Sequence, residues 1–250
     1  MPNELHHLGR TRSARRSSYL LQTPDTFVRT QIPGSTGTSV IVHVSPEIGA
    51  AFTQYTAEFE VGGALGEAIG ERFVYVLDGE LTLETEVGRH TLGKDEYAFI
   101  PQGMQHRLAA ARASRAAVIE RSYRAIEGVS APELLIGREA EVAGQPLMGD
   151  EALMVRGLLP DTNAFDFAVN TMTYLPGASL SLVEIHVMEH GLLMLDGGGG
   201  VEIKGRGNAE FARGNDGVQQ CRVQGAQSLP GVIGPAAVQR VHPPRVQHGQ

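Results

Sequence analysis

Glycine and proline cut this chain into short apolar runs, and that punctuation constrains the fold more than any other feature. The 250 residues include 31 glycines and 13 prolines. Between them the apolar positions mostly alternate along short runs, and few stretches show the three-to-four-residue recurrence of a helix. Residues 40–44, 52–59, 73–77, 81–84, 97–100 and 117–119 form a first series of such runs. A second series starts near Met154 and continues through 165–169, 172–175, 182–187 and 192–195. Short strands at regular spacing specify an antiparallel barrel or sandwich. Asp78-Gly79, between the third and fourth runs, reads as a tight turn. The expectation is an all-β chain, long enough for two units of about 100 to 125 residues.

Charge and cysteine content narrow the function. A formal net charge of -7 and a pI near 5.7 argue against nucleic acid or an anionic membrane as the main partner. The local basic run Arg10, Arg12, Arg15, Arg16 reads as a solvated N-terminal arm. The single cysteine, Cys221, excludes an internal disulfide framework and fits a reducing compartment. No apolar stretch reaches the roughly 18 residues that span a bilayer, and the N-terminus has no apolar signal core. A cytoplasmic protein acting on a small molecule is expected, with neither nucleic acid nor membrane as partner.

The densest chemistry lies in the stretch 176–197, PGASLSLVEIHVMEHGLLMLDG. Glu184, His186 and His190 stand in an ExHxxxH pattern, and Gly197 follows seven residues after the last histidine. Side chains alternate across a strand, so Glu184 and His186 share a face, and His190 can return to it past a short bend. One carboxylate and two imidazoles suit Mn, Fe, Co, Ni or Zn with coordination positions left open. Openness of that kind serves catalysis rather than structural clamping. The competing reading is a solvated polar strand face. Against it stand the apolar flanks Leu180, Leu182, Ile185, Val187 and Leu192 to Leu195, which would bury an unpaired carboxylate at high cost.

The two halves of the chain repeat one another. Gly93, Pro101, Gly103 and His106 form a GxxxxxxxPxGxxH arrangement that resembles the second conserved motif of the cupin superfamily. The ExHxxxH segment with Gly197 resembles the first cupin motif with its carboxylate and first histidine exchanged. The whole chain therefore resembles a bicupin, two antiparallel jelly-roll barrels in tandem. Its expected parts are a barrel without metal at 1–126, a linker at 127–150, the start of a metal-binding barrel at 151–198 and an atypical tail at 199–250. In the first half, the positions corresponding to Glu184, His186 and His190 are Gly66, Ala68 and Arg72. One histidine cannot hold a divalent ion. His106 is therefore expected to cap the barrel mouth by hydrogen bonds. The first barrel would then support the second, contact another subunit or form one wall of the substrate cleft. His43, His90, His242 and His248 have no partner at ligand spacing and are assigned no role.

A closer likeness covers roughly residues 8 to 198. The opening LGRTRS and TPDTFVRTQIPG, the phrase LLPDTNAFDFAVNTMTYLPGASL and the segment EIHVMEHGLLMLDG together resemble the (S)-ureidoglycine aminohydrolase family of bicupins. The resemblance implies a manganese enzyme of purine catabolism that releases ammonia from ureidoglycine to give ureidoglycolate. It also implies that Glu184, His186 and His190 are three of four manganese ligands, the fourth being a glutamine from a later strand. Here the tail departs from the family, with Phe211 as its single aromatic and a Gly- and Gln-rich composition nearer to disorder or a shifted reading frame. Gln224 lies at a workable distance after His190 for the fourth ligand. Glu133, in APELLIG, is the candidate for contacting the substrate amine. A homo-oligomer is expected from long barrel edges. Two alternatives stay open: another metal-dependent cupin enzyme of dioxygenase or isomerase type, and a non-catalytic, degraded bicupin.

Overall fold

The computed structural model describes residues 13–15, 19–180, 189–203, 208–212, 221–228 and 239–242, with the backbone alone described from 198 onward. A small hairpin of β1 (Ala14–Arg15) and β2 (Leu20–Leu21) precedes a ten-stranded antiparallel sheet. That sheet contains β3 (Arg29–Thr30), β4 (Ser35–Val44), β5 (Thr53–Leu65), β6 (Glu71–Asp78) and β7 (Glu80–Thr85). It is completed by β8 (Gly88–Gly93), β9 (Glu96–Ile100), β10 (His106–Ala109), β11 (Ser114–Arg121) and β12 (Leu135–Arg138).

The long strand β5 curls this sheet into a barrel. Its first half pairs with β11 and its last two residues with β10, so one strand belongs to both walls. The bend lies where Gly63 faces Gly37 of β4: a Cβ on Gly63 would overlap the Gly37 carbonyl, and β4 has a register shift between Thr36 and Thr38. The inside is apolar, with Val40, Tyr55, Leu65, Val74, Leu83 and Ile100 among its buried members. Gly79 does take a left-handed φ of 83°, but β6 and β7 are not partners. β6 pairs with β9 and β11, whereas β7 pairs with β8 and β10. Asp78-Gly79 is thus a corner between walls instead of a hairpin turn. It is held by the Ser114 hydroxyl, which accepts from the Glu80 N–H at 3.0 Å.

The second unit has β13 (Gln145–Leu147), β14 (Asp150–Gly157), β15 (Phe167–Tyr174), β16 (His190–Asp196) and β19 (Cys221–Ser228) in the order 13-14-15-19-16. A further three-stranded sheet combines β17 (Gly198–Ile203), β18 (Asn208–Ala212) and β20 (Gln239–His242). The runs at 165–169 and 172–175 merge into the one strand β15, and β19 fills the slot between β15 and β16. Two strands presenting open edges accept a third whose own composition is poor in strand formers, because pairing context outweighs intrinsic propensity. The segment 127–150 is likewise shared between the sheets: β12 extends the first through β9, and β13 starts the second.

The two units meet across an aromatic layer. Alternation along β6 and β9 sends Phe73, Tyr75, Tyr97 and Phe99 to the outside of the first barrel, where Phe165, Phe167, Val169 and Leu195 cover them. Phe99 packs edge-on against Phe165 at 5.0 Å between ring centres. Tyr19, from the N-terminal arm, packs on the second unit's inner cluster of Leu153, Tyr174 and Leu180. Arg15 is exposed, as a solvated arm requires, whereas Arg10, Arg12 and Arg16 lie outside the described residues.

Candidate metal centre

His190 opens β16, and the register shows which way its position faces. Leu192 and Met194, two and four residues on, pack against the inner cluster of the second unit, so His190 belongs to the inner face. Leu193 and Leu195 belong to the opposite face, against the first barrel. Glu184 and His186 lie outside the described residues, and among the described residues no three His, Cys, Asp or Glu side chains come together as a metal-holding group. The donor set itself fits a divalent transition metal, one carboxylate with two imidazoles.

Gln224 belongs to a strand for which the backbone register alone is described. In β19 it pairs with Leu193 and Thr171, and the position paired with His190 is that of Gln227. Glu133 is exposed just ahead of β12, beside Leu134, which packs on the core of the first barrel.

The residues flanking His190 are tied to the first barrel. Glu189 Oε2 accepts a hydrogen bond from the Ala51 N–H at 2.7 Å. Gly191 is buried against the start of β5, where a Cβ would collide with Gln54 Oε1 and come within 3.1 Å of the Phe52 ring. Sequence spacing singled out neither contact, since Ala51 and Glu189 are 138 residues apart.

At the corresponding place in the first barrel stands Arg72. Its Nη1 donates to His106 Nε2 at 2.9 Å and to the Gly66 carbonyl at 2.6 Å, and its Nε donates to Glu120 Oε1 at 2.7 Å. Tyr55 donates to the same Glu120 oxygen at 2.7 Å. Because a guanidinium has only donors, His106 Nε2 must present its lone pair, and Nδ1 carries the proton it gives to the Met104 carbonyl at 2.7 Å. Burial, chiefly, holds His106 below its ordinary pKa, and it stays neutral. His106 thus caps the mouth through hydrogen bonds, and Glu120 is a partner that the motif count does not reveal.

Two polar clusters sit in the layer between the units. Arg121 lies 3.4 Å from Asp166 Oδ2, which also accepts from the Arg124 N–H at 2.8 Å. Glu71, fully buried beside them, is pushed up to about 9 by desolvation and then by the neighbouring Asp166. It is therefore protonated at neutral pH. Ionised, Glu71 would set a second negative charge beside Asp166 in a buried layer, and protonation removes that repulsion. In the second cluster, the Tyr75 hydroxyl contacts Asp95 and Glu139, and Thr171 donates to Glu139 at 3.0 Å.

Two curled antiparallel units in tandem, the second carrying an ExHxxxH segment, define a bicupin. A cupin domain model matches residues 56–120. The fold superposes on the crystal structure of protein Ylba from E. coli with a TM-score of 0.77 at 24% identity, covering 96% of this chain and 93% of that one. An oxalate decarboxylase from Bacillus subtilis superposes at 0.60 with 12% identity, covering 92% of this chain and 78% of that one. In sequence, the chain is 34% identical to the (S)-ureidoglycine aminohydrolase of Arabidopsis thaliana, over 79% of this chain and 67% of that protein. It is 30% identical to the enzyme of that name from Escherichia coli K12, over 73% and 72%. A rice relative named "Probable (S)-ureidoglycine aminohydrolase" matches at 36% over 76% of this chain, and the match spans 62% of that relative's length. The chain belongs to the (S)-ureidoglycine aminohydrolase family.

Proposed function

We propose that this chain releases ammonia from (S)-ureidoglycine to give (S)-ureidoglycolate, using manganese held in the second unit. The observation carrying this reading is identity of 30 to 34% to enzymes of that name over two thirds or more of their length. His190 on the inner face of the second sheet is consistent with it. Glu184, His186 and His190 would hold the ion, whose chemistry there is to orient the substrate and stabilise charge as water replaces ammonia. The inner cluster of Leu153, Tyr174 and Leu180 lines an apolar interior that would exclude bulk water from this chemistry. Gln224 and Glu133 do not enter the proposal. One pairs with Leu193 in the backbone register, not with His190, and the other is exposed at the edge of the first barrel.

The test is ammonia release from ureidoglycine by the purified chain with added Mn, alongside Glu184→Ala and His186→Ala. Activity in the parent chain, and its loss together with bound metal in both variants, is expected. A chain that binds Mn yet releases no ammonia would overturn the substrate assignment. A preference for iron or zinc with turnover of other small acids would point to different cupin chemistry.

A further inference from the structure

We propose that Glu189 and Gly191 are positioning residues through which the first barrel fixes His190 of the second. The inference rests on His190 being a metal ligand, as proposed above. His190 has one neighbour on each side in the chain, and both are anchored to the same short stretch of the other unit. On one side the Glu189 carboxylate accepts the Ala51 N–H at 2.7 Å. A charge-assisted bond of that length is among the stronger hydrogen bonds a side chain makes. On the other side Gly191 lies so close to Gln54 and Phe52 that no larger residue fits without displacement.

The anchoring stretch leads into the sheet of the first barrel. Gln54 is on β5 between two partners, Val44 of β4 and Ile119 of β11. Phe52 is buried in the aromatic layer between the units. The reference points for His190 are therefore the bend that leads into β5 and the start of that strand in the first barrel, not a loop of its own unit. Ligand geometry at a metal is sensitive to such support, and removing a residue that orients a ligand typically costs 10- to 100-fold in metal affinity. A half without the ExHxxxH pattern thereby acquires a function in the chemistry of the other half: it holds a ligand in place.

The competing account is that Glu189 merely satisfies a backbone N–H and stabilises the join between the units. The two accounts differ in what happens to metal affinity. The full chain and its Glu189→Ala, Glu189→Gln, Gly191→Ala and Gly191→Ala/Gln54→Ala variants are titrated with Mn(II), with free ion followed by its electron paramagnetic resonance signal. Thermal unfolding of each metal-free protein serves as the structural readout. Glu189→Ala should weaken Mn binding about tenfold or more. Glu189→Gln, whose amide oxygen still accepts the Ala51 N–H, should stay within about threefold of the parent by the same scale. Gly191→Ala should weaken binding, and the added Gln54→Ala, which removes the collision, should restore most of it. A folded Glu189→Ala protein that binds Mn as the parent does would overturn the inference, as would Glu189→Ala and Glu189→Gln being equally impaired. Failure of the parent chain to bind Mn would instead remove the metal reading and this inference with it.

Discussion

Arg72 donates to the Nε2 lone pair of His106 at 2.9 Å, so the first barrel offers a fixed guanidinium where the second has the ExHxxxH histidine His190. The guanidinium is buried and also bonded to Glu120 and Gly66. Truncating it would leave Glu120 without its cation and His106 without its donor. Arg72→Ala should therefore cost roughly 3 kcal/mol or more, the usual result of breaking a buried pair on one side. Arg72→Lys, which keeps the charge but not the fork, should cost less. Urea unfolding at pH 7 measures both, and equal stability of Arg72→Ala and the parent would show that the network contributes nothing.

Glu71 makes stability fall as pH rises. Its folded-state pKa, about 9, lies above the unfolded value of about 4.5, so its contribution is full below about 4.5 and is lost progressively up to about 9. Glu71→Gln removes the ionisation. The variant should be more stable than the parent at pH 8, by an amount that shrinks as the pH is lowered towards 4.5. Denaturant midpoints at three pH values between those limits suffice, and parallel pH profiles would refute the assignment.

His43 acts in the opposite direction. Half-buried, and hydrogen-bonded to Thr56 at 2.8 Å and to Gln22 at 3.2 Å, it is pushed down by desolvation to about 4. Its folded pKa is below the ordinary 6.5, so stability is full above about 6.5 and declines as pH falls to 4. The loss saturates at roughly 3 kcal/mol, from about 1.4 kcal/mol per pKa unit. Nuclear magnetic resonance titration of the imidazole should show no protonation above pH 5, and a His43→Gln chain should lose less stability than the parent between pH 7 and 4.5.

Phe99 lies in the layer between the units, fully buried and in edge contact with Phe165. Phe99→Ala should destabilise the protein by about 3 to 5 kcal/mol, as for other large-to-small changes in a core. Because the ring bridges both units, they should still unfold in one transition. Two separated transitions in calorimetry would show that the layer does not couple them.

The strands of the first barrel were legible because half-buried β-structure writes its two-residue period into the sequence, as at Phe73, Tyr75 and Leu77. The aromatic side of that alternation faces the other unit and not solvent, which no local pattern announces. Asp78-Gly79 gave the residue type of the corner but not which strands flank it as partners, because pairing depends on the whole sheet. Strand β12 was invisible inside an apparent linker, since four residues at an edge carry too little periodicity to stand out. At the site, residue type and spacing nominated Glu184, His186 and His190, of which the described residues include His190, and counting back from Gly79 reached Arg72. What Arg72 touches, and that Glu189 reaches Ala51, are products of folding across tens of residues and leave no local signature. Gln224 shows what chain distance leaves out: spacing along the sequence did not carry the pairing of its strand with Leu193 and Thr171.

The aromatic layer has a consequence for how such a chain can change over generations. Deleting the first unit would bare Phe165, Phe167, Val169 and Leu195 of the second to water, leaving a sticky flank prone to clumping. Two units that share one greasy seam cannot be parted cheaply, however idle one of them looks.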